Sequence, residues 1–185
     1  MKELLLQIIK NETEDRLLGK NMIIDPESHF QLKLESRLKE LGVWYKFLEK
    51  PGSTVHTADA ASATGIDLHR ISKNLMAKTS NGEYAALIIP GDRKVDYKEA
   101  ARALGIKSLG LVPFEHADKV SGYPPGGTPS LGYETKLRVV LDEGLAEFET
   151  FFCGGGSTRM LLELRKEDVI KLNNAVIHKI SKVPE

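Results

Sequence analysis

The chain has 185 residues, 41% of them hydrophobic and 28% charged, with 26 Lys and Arg set against 26 Asp and Glu. That composition excludes wholesale disorder and is enough to bury a core without disulfides or metal. Zero net charge argues against a protein that coats nucleic acid non-specifically, and a single cysteine, Cys153, excludes an internal disulfide and suits a reducing cytoplasm.

In chain order, Leu4, Leu5, Ile8 and Ile9, then Leu17 and Leu18, predict a short amphipathic helix inside an extension covering residues 1–28. Its apolar run, LLLQII, meets charges at once and is too short for a signal peptide or a membrane span, so no membrane partner is expected. Residues 29–185 then read as one domain. In DPESHFQLKLESRLKELG, the residues Phe30, Leu34, Leu38 and Leu41 recur at helical spacing, and Gly42 stands where a C-terminal cap belongs. VWYKFLEK predicts a strand from its aromatic and β-branched content. Thr57 is placed to cap the helix ADAASAT, which Gly65 ends, and DLHR suits one more helical turn.

ISKNLMAKT and YAALIIP flank Asn81-Gly82, a strong hairpin signal. Asp96 is placed to cap the helix YKEAARALG, which Gly105 closes. FEHADKV reads as helical, LRVVLDE, FETFFC and STRMLLEL as strands, and EDVIKLNNAVIHKI as a closing helix. Strand runs mixed with helices, without strict alternation, predict a mixed α+β or α/β domain.

Charge is uneven along this domain. Residues 66–107 hold eight Lys and Arg against five Asp and Glu, whereas residues 134–150 hold five acids against two bases. The asymmetry allows either a modest basic face for a polyanion or an ordinary solvated surface.

Two glycine-rich stretches carry candidate chemistry. SGYPPGGTPSLGY, residues 121–133, has too many prolines and aromatics for a flexible linker and lacks the lysine of a Walker-type phosphate loop. CGGGST matches a dinucleotide-binding fingerprint only loosely. In both, glycine lets backbone N–H groups approach a ligand closely. Lys73 shares a strand face with Ile71 and Leu75, so it needs a partner or a pocket, or else reaches water along the sheet edge. Cys153 has no local motif linking it to His116 or His178, and no histidine spacing suggests a metal.

Taken in order, VHTADAASATGIDLHRISKNLMAK, YAALIIPGDRKVDYKEAARALGIKSLGLVPFEHADKVSGYPPGGTPSLGY, VVLDEGL and FFCGGGSTRMLLEL resemble the YbaK/prolyl-tRNA-synthetase-associated domain over roughly residues 30–180. The resemblance implies a mixed, barrel-like sheet with surrounding helices. It also implies hydrolysis of the ester of mischarged aminoacyl-tRNA, in trans or within a synthetase. The essential lysine of that family corresponds to Lys73, its substrate-binding glycine loop to the region of Gly126 and Gly127, and its small-residue strand to Gly155, Gly156, Ser157 and Thr158. Asp142 matches an acidic position of the VVLD-like strand.

An aminoacyl ester is already activated, so positioning and charge stabilisation suffice for its hydrolysis. The resemblance therefore assigns Lys73, Gly127 and Ser157 to catalysis. Substrate binding falls to Thr57, Asn74, Leu75, Gly126, Thr128, Pro129, Asp142, Gly155, Gly156 and Thr158, with Leu75, Met76 and Thr57 as pocket walls. Water and the substrate's ribose hydroxyl replace a protein nucleophile, and no metal or organic cofactor is expected. The partners implied are the acceptor end of tRNA, prolyl-tRNA synthetase and a second copy of the chain. The expected activity is a freestanding deacylase acting on tRNA(Pro) carrying a small amino acid, with a non-catalytic tRNA- or synthetase-binding member as the alternative. The KNL after Ser72 is nearer the alanine-clearing branch, but the histidine of that branch is absent from GGGSTRM. Alanyl, cysteinyl, seryl and threonyl esters therefore all stay open.

Overall fold

The computed structural model describes residues 27–184, so the helix expected over residues 2–18 lies outside the described residues. The first described helix, α1 (Ser28–Leu41), forms where the apolar spacing places it, with Leu34 and Leu38 buried and Gly42 closing it at φ 66°. Strand β1 (Tyr45–Glu49) follows. Helix α2 (Thr57–Thr64) differs from expectation at its start. His56, not Thr57, occupies the capping position, in an extended conformation and without a side-chain hydrogen bond. Thr57 is the first helical residue, which frees its side chain for the cavity described below. The DLHR turn is a 3-10 turn, Leu68–Arg70, with the Asp67 carboxylate accepting from the His69 N–H.

Strands β2 (Ser72–Thr79) and β3 (Tyr84–Pro90) form the expected antiparallel hairpin. Its turn is a three-residue loop. The Gly82 N–H donates to Thr79 O and the Thr79 N–H to Glu83 O, each at 2.9 Å, with Gly82 at φ 85°. The short strand β4 (Lys94–Val95) leads into α3 (Tyr97–Leu104), where Asp96 caps by accepting from Lys98 and Glu99. Strand β5 (Leu109–Leu111), a 3-10 turn at Phe114–His116 and helix α4 (Ala117–Ser121) precede the Gly/Pro-rich loop. Then come β6 (Arg138–Leu141), α5 (Glu143–Ala146), β7 (Thr150–Gly154), β8 (Met160–Arg165) and α6 (Lys166–Asn173).

The expected closing helix is cut short. Asn174 adopts a left-handed conformation (φ 49°), as asparagine tolerates, and turns the chain out of the helix. The next residues become β9 (Val176–Ile177) and β10 (Ser181–Lys182). Pairing with β6 and β4 satisfies their backbone groups where a longer helix would carry them away from the sheet. Strand β8 likewise begins only at Met160, because residues 155–159 form a turn.

Five strands in the order β5-β2-β3-β6-β9 form a mixed central sheet, with β3, β6 and β9 parallel and the β2 pairings antiparallel. The unbroken apolar run of β3 follows from burial on both faces. Ala86 and Ile88 join the large core beneath α1 and the β1-β8-β7 sheet. Ala85, Leu87 and Ile89 pack with Ala100 and Leu104 of α3. A parallel bridge between Ile71 and Phe152 joins the two larger sheets, consistent with the expected mixed, barrel-like arrangement.

One gap in this pairing creates the site. Strand β5 pairs only with Ala77–Thr79 of β2, and the Val112 N–H reaches Met76 O at 2.8 Å, so residues 72–75 of β2 lack a strand neighbour on that side.

Candidate active site

The unpaired edge of β2 opens into a cavity of about 710 Å³. Because the strand meets it edge-on, residues from both faces reach it: Lys73 and Leu75 as well as Asn74 and Met76. The other walls come from the segment leading into α2 (Lys50, Thr54, His56) and its first residue Thr57, the Leu111–Phe114 region and the Gly/Pro-rich loop (Pro125, Gly126, Thr128). Lys73 and Gly126 therefore open onto one cavity.

Lys73 Nζ donates to the Arg93 carbonyl at 3.0 Å, leaving ammonium protons for another acceptor. Burial lowers its pKa, opposed by the Asp92 carboxylate and reinforced by Lys94. Asn74 turns the other way and ties β2 to the loop. Its amide nitrogen donates to Thr128 O (3.0 Å) and Ser72 Oγ (3.1 Å), and its Oδ1 accepts from Ser130 Oγ (2.7 Å). Asn173 adds a bond to Ser130 O at 2.9 Å. The asparagine positions the loop and has few bonds left to offer a ligand.

The glycines serve two purposes. The Gly127 N–H donates to Pro124 O at 2.9 Å, so it is already engaged inside the loop and does not face a substrate carbonyl. Instead Gly127 lets two backbones meet: its carbonyl accepts from the Gly156 N–H at 2.8 Å, and a Cβ there would stand 2.7 Å from Gly156 C and Ser157 N. No hydrogen bond among the described residues engages the N–H of Gly126 or Thr128. These two N–H groups remain available as donors to a carbonyl oxygen or an oxyanion.

Several residues named from the resemblance lie outside the cavity lining. Ser157 is fully buried, and its hydroxyl accepts from the Arg159 N–H at 3.3 Å. Thr158 Oγ1 accepts from Ser53 Oγ at 2.7 Å, and Gly155 packs against Met160. Gly156, at φ 90°, packs on the backbone of α1 at Gln31. Pro129 is buried beside Ser130. Asp142 is 2% exposed and caps α5 through Gly144, while its other oxygen accepts from the Ile180 N–H at 2.8 Å. None of Gly155, Gly156, Ser157 and Thr158 lines the cavity, whereas the preceding Gly154 does.

Cys153 carries no nucleophilic chemistry. It is fully buried, its thiol donates to Leu162 O at 3.5 Å, and burial pushes its pKa up to about 12.

Lys50 is the residue that sequence reasoning missed. It is 3% exposed and lines the cavity, donating to Thr54 Oγ1 (2.7 Å) and Thr54 O (3.1 Å). Burial lowers its pKa to about 8 against the raising influence of Glu27. At the end of an edge-forming strand it reads as a solvated lysine, and only folding encloses it. The apolar residues Leu75, Met76, Leu111 and Phe114 share this compartment with Lys50, Lys73, Gly126 and Thr128. Such a compartment can hold an anionic or carbonyl group while enclosing a small apolar side chain.

The sequence profile of the aminoacyl-tRNA editing domain matches residues 50–172, and the chain belongs to that family. A protein of Enterococcus faecalis, EbsC, provisionally named a Cys-tRNA(Pro)/Cys-tRNA(Cys) deacylase, is 26% identical over 139 residues, covering 74% of this chain and 85% of its own. A proline–tRNA ligase of Thermosipho melanesiensis is 28% identical over 113 residues, covering 58% of this chain but 20% of the ligase. Among solved structures, a provisionally assigned trans-editing enzyme for prolyl tRNA synthetase superposes with TM-score 0.74 at 25% identity, covering 86% of this chain and 99% of that one.

Proposed function

We propose that this protein is an aminoacyl-tRNA deacylase acting in trans, with residues 29–185 as its editing domain. Its substrate is tRNA(Pro) carrying a small, wrong amino acid. The observation that carries the reading is the meeting of Lys73, of Gly126 and Thr128 with their N–H groups unengaged among the described residues, and of an apolar wall in the lining of one cavity. The tRNA(Pro) assignment is supported by the provisional name of EbsC and by the match to proline–tRNA ligases.

In this reading Lys73 engages the phosphate or ribose of the terminal adenosine and settles negative charge developing at the ester. The N–H groups of Gly126 and Thr128 polarise the carbonyl, and water attacks it, helped by the ribose hydroxyl of the substrate. The C–O ester bond breaks, water supplies the new carboxyl oxygen, and the ribose oxygen leaves with a proton. Leu75, Met76 and Thr57 set the size limit, so a larger cognate amino acid is excluded by clash.

The test is loss of the amino acid from Ala-, Cys-, Ser- and Thr-charged tRNA(Pro) in the presence of purified protein. Acceleration over buffer for at least one ester is expected. No acceleration with any of the four overturns the reading and favours a binding member without turnover.

A further inference from the structure

Beside the cavity, and sharing Lys73, Leu75 and Leu111 with it, runs a second groove of about 650 Å³. Its rim is basic: Arg93 and Lys94 from the turn and strand after β3, Lys98 from the first turn of α3, and Lys182 from β10. We propose that this groove binds the sugar-phosphate backbone of a single-stranded RNA 3′ end, the terminal ester of which enters the cavity past Lys73. The proposal rests on the deacylase reading for what enters the cavity, but not for the binding itself.

Three features of the groove favour a polyanion over a plain solvated surface. First, the β4-β10 register sets Lys182 directly opposite Lys94, both exposed. Like charges facing each other across an antiparallel pair are destabilising, and an anion lying between them removes that cost. Second, the nearby acids, including Asp96, the one acid among the described residues of the groove lining, are turned to other partners than the lysine side chains. Asp96 Oδ1 accepts from the N–H groups of Lys98 and Glu99. Asp92 pairs with His69 Nδ1 at 2.8 Å and with Arg93 Nε at 3.5 Å. Among the described residues, none of Lys94, Lys98 and Lys182 has an ion-pair partner within 4.0 Å. Third, Tyr97 stands on the rim, 47% exposed. A basic track with an exposed ring is suited to a single strand, since the track follows the phosphates and the ring stacks a base. An acidic peptide would use the lysines and leave the ring without a partner.

The experiment measures fluorescence anisotropy of a 5′-labelled oligoribonucleotide with a tRNA 3′-terminal sequence, titrated with full-length protein between 50 and 200 mM salt. The triple variant Lys94→Gln/Lys98→Gln/Lys182→Gln is expected to raise Kd at least ~10-fold. It should also flatten the dependence of log K on log salt by about 2, from roughly 0.7 for each of the three phosphate contacts removed. Tyr97→Ala is expected to weaken binding with the salt slope unchanged. A control, Lys39→Gln/Lys46→Gln/Lys171→Gln, removes the same charge from α1, β1 and α6.

Wild-type Kd and slope in the groove variant overturn the proposal, as does an equal loss in the control. Displacement of the RNA by polyglutamate of matched charge with equal potency overturns the choice of RNA. Because the probe carries no ester, the two readings separate. Groove-dependent binding by a protein inert on every mischarged tRNA keeps the groove and removes the deacylase. An active protein with groove-independent binding does the reverse.

Discussion

The Lys73 ammonium lies 3.0 Å from the carbonyl oxygen of Arg93, which pins the β2 cation against the turn following β3. The cation is thereby held at the junction of the cavity and the basic groove, both of which it lines. Lys73→Ala is expected to lower deacylation at least ~10-fold, a barrier increase of roughly 1.4 kcal/mol. Burial lowers the Lys73 pKa from the ordinary 10.5, so the active cationic form is lost at a lower pH than for a solvated lysine. The rate should fall on the alkaline side with an apparent pKa below 10.5, and the Lys73→Ala profile should lack that limb. Full activity in Lys73→Ala removes the residue from the mechanism.

Asn74 holds β2 to the loop through Thr128 and Ser130. Asn74→Ala removes those bonds but leaves Thr128 O with the Gly154 N–H and Ser130 Oγ with Ser72 Oγ, at a cost of about 0.5–1.5 kcal/mol for each bond lost. Urea unfolding should show that loss, and the loosened loop should raise KM. Unaltered stability together with unaltered KM contradicts the positioning role.

The lysine at position 50 bears on stability. Its folded pKa is about 8, against 10.5 for an ordinary lysine. Between those values the unfolded chain binds the proton and the folded chain does not, so this residue makes stability rise with pH across that window. Below about pH 8 its penalty is fully present. The stability difference between wild type and Lys50→Met, measured in urea at pH 7, 8.5 and 10, should shift toward the wild type as pH rises. A difference that stays flat shows that Lys50 titrates normally.

Gly127 is expected to reject any side chain. The atoms a Cβ would meet, 2.7 Å away, are backbone atoms of Gly156 and Ser157 that cannot swing aside. Gly127→Ala should cost about 1–3 kcal/mol by overpacking. Gly52→Ala, where a Cβ meets nothing within 4 Å, is the matched control and should stay within about 0.5 kcal/mol. Chemical denaturation of the two variants decides between a packing role and a dispensable loop glycine.

Much of the fold is legible because it is written in local chemistry. The helical spacing of Leu34 and Leu38, the caps at Asp96, Gly42 and Gly105, and the β2-β3 hairpin depend on residues close in the chain. The loop SGYPPGGTPSLGY was recognisable as shaped, and the cavity residues Lys73, Asn74, Leu75, Gly126 and Thr128 were named from resemblance.

Other features arise only when distant segments meet. A helical pattern at the C-terminus yields to β9 because β6 offers a partner for Val176 and Ile177. Ser157 and Asp142 look available as sequence, yet packing buries them and engages them with backbone. Lys50 becomes a cavity residue, and Lys94 faces Lys182, through contacts between segments far apart in the chain. Sequence by itself determined most of the elements, the family and the candidacy of Lys73, since periodicity, caps and motifs are written in residues close in the chain. Only the tertiary structure decided which polar groups stay free to act, because that depends on how many of their hydrogen bonds the fold has already satisfied.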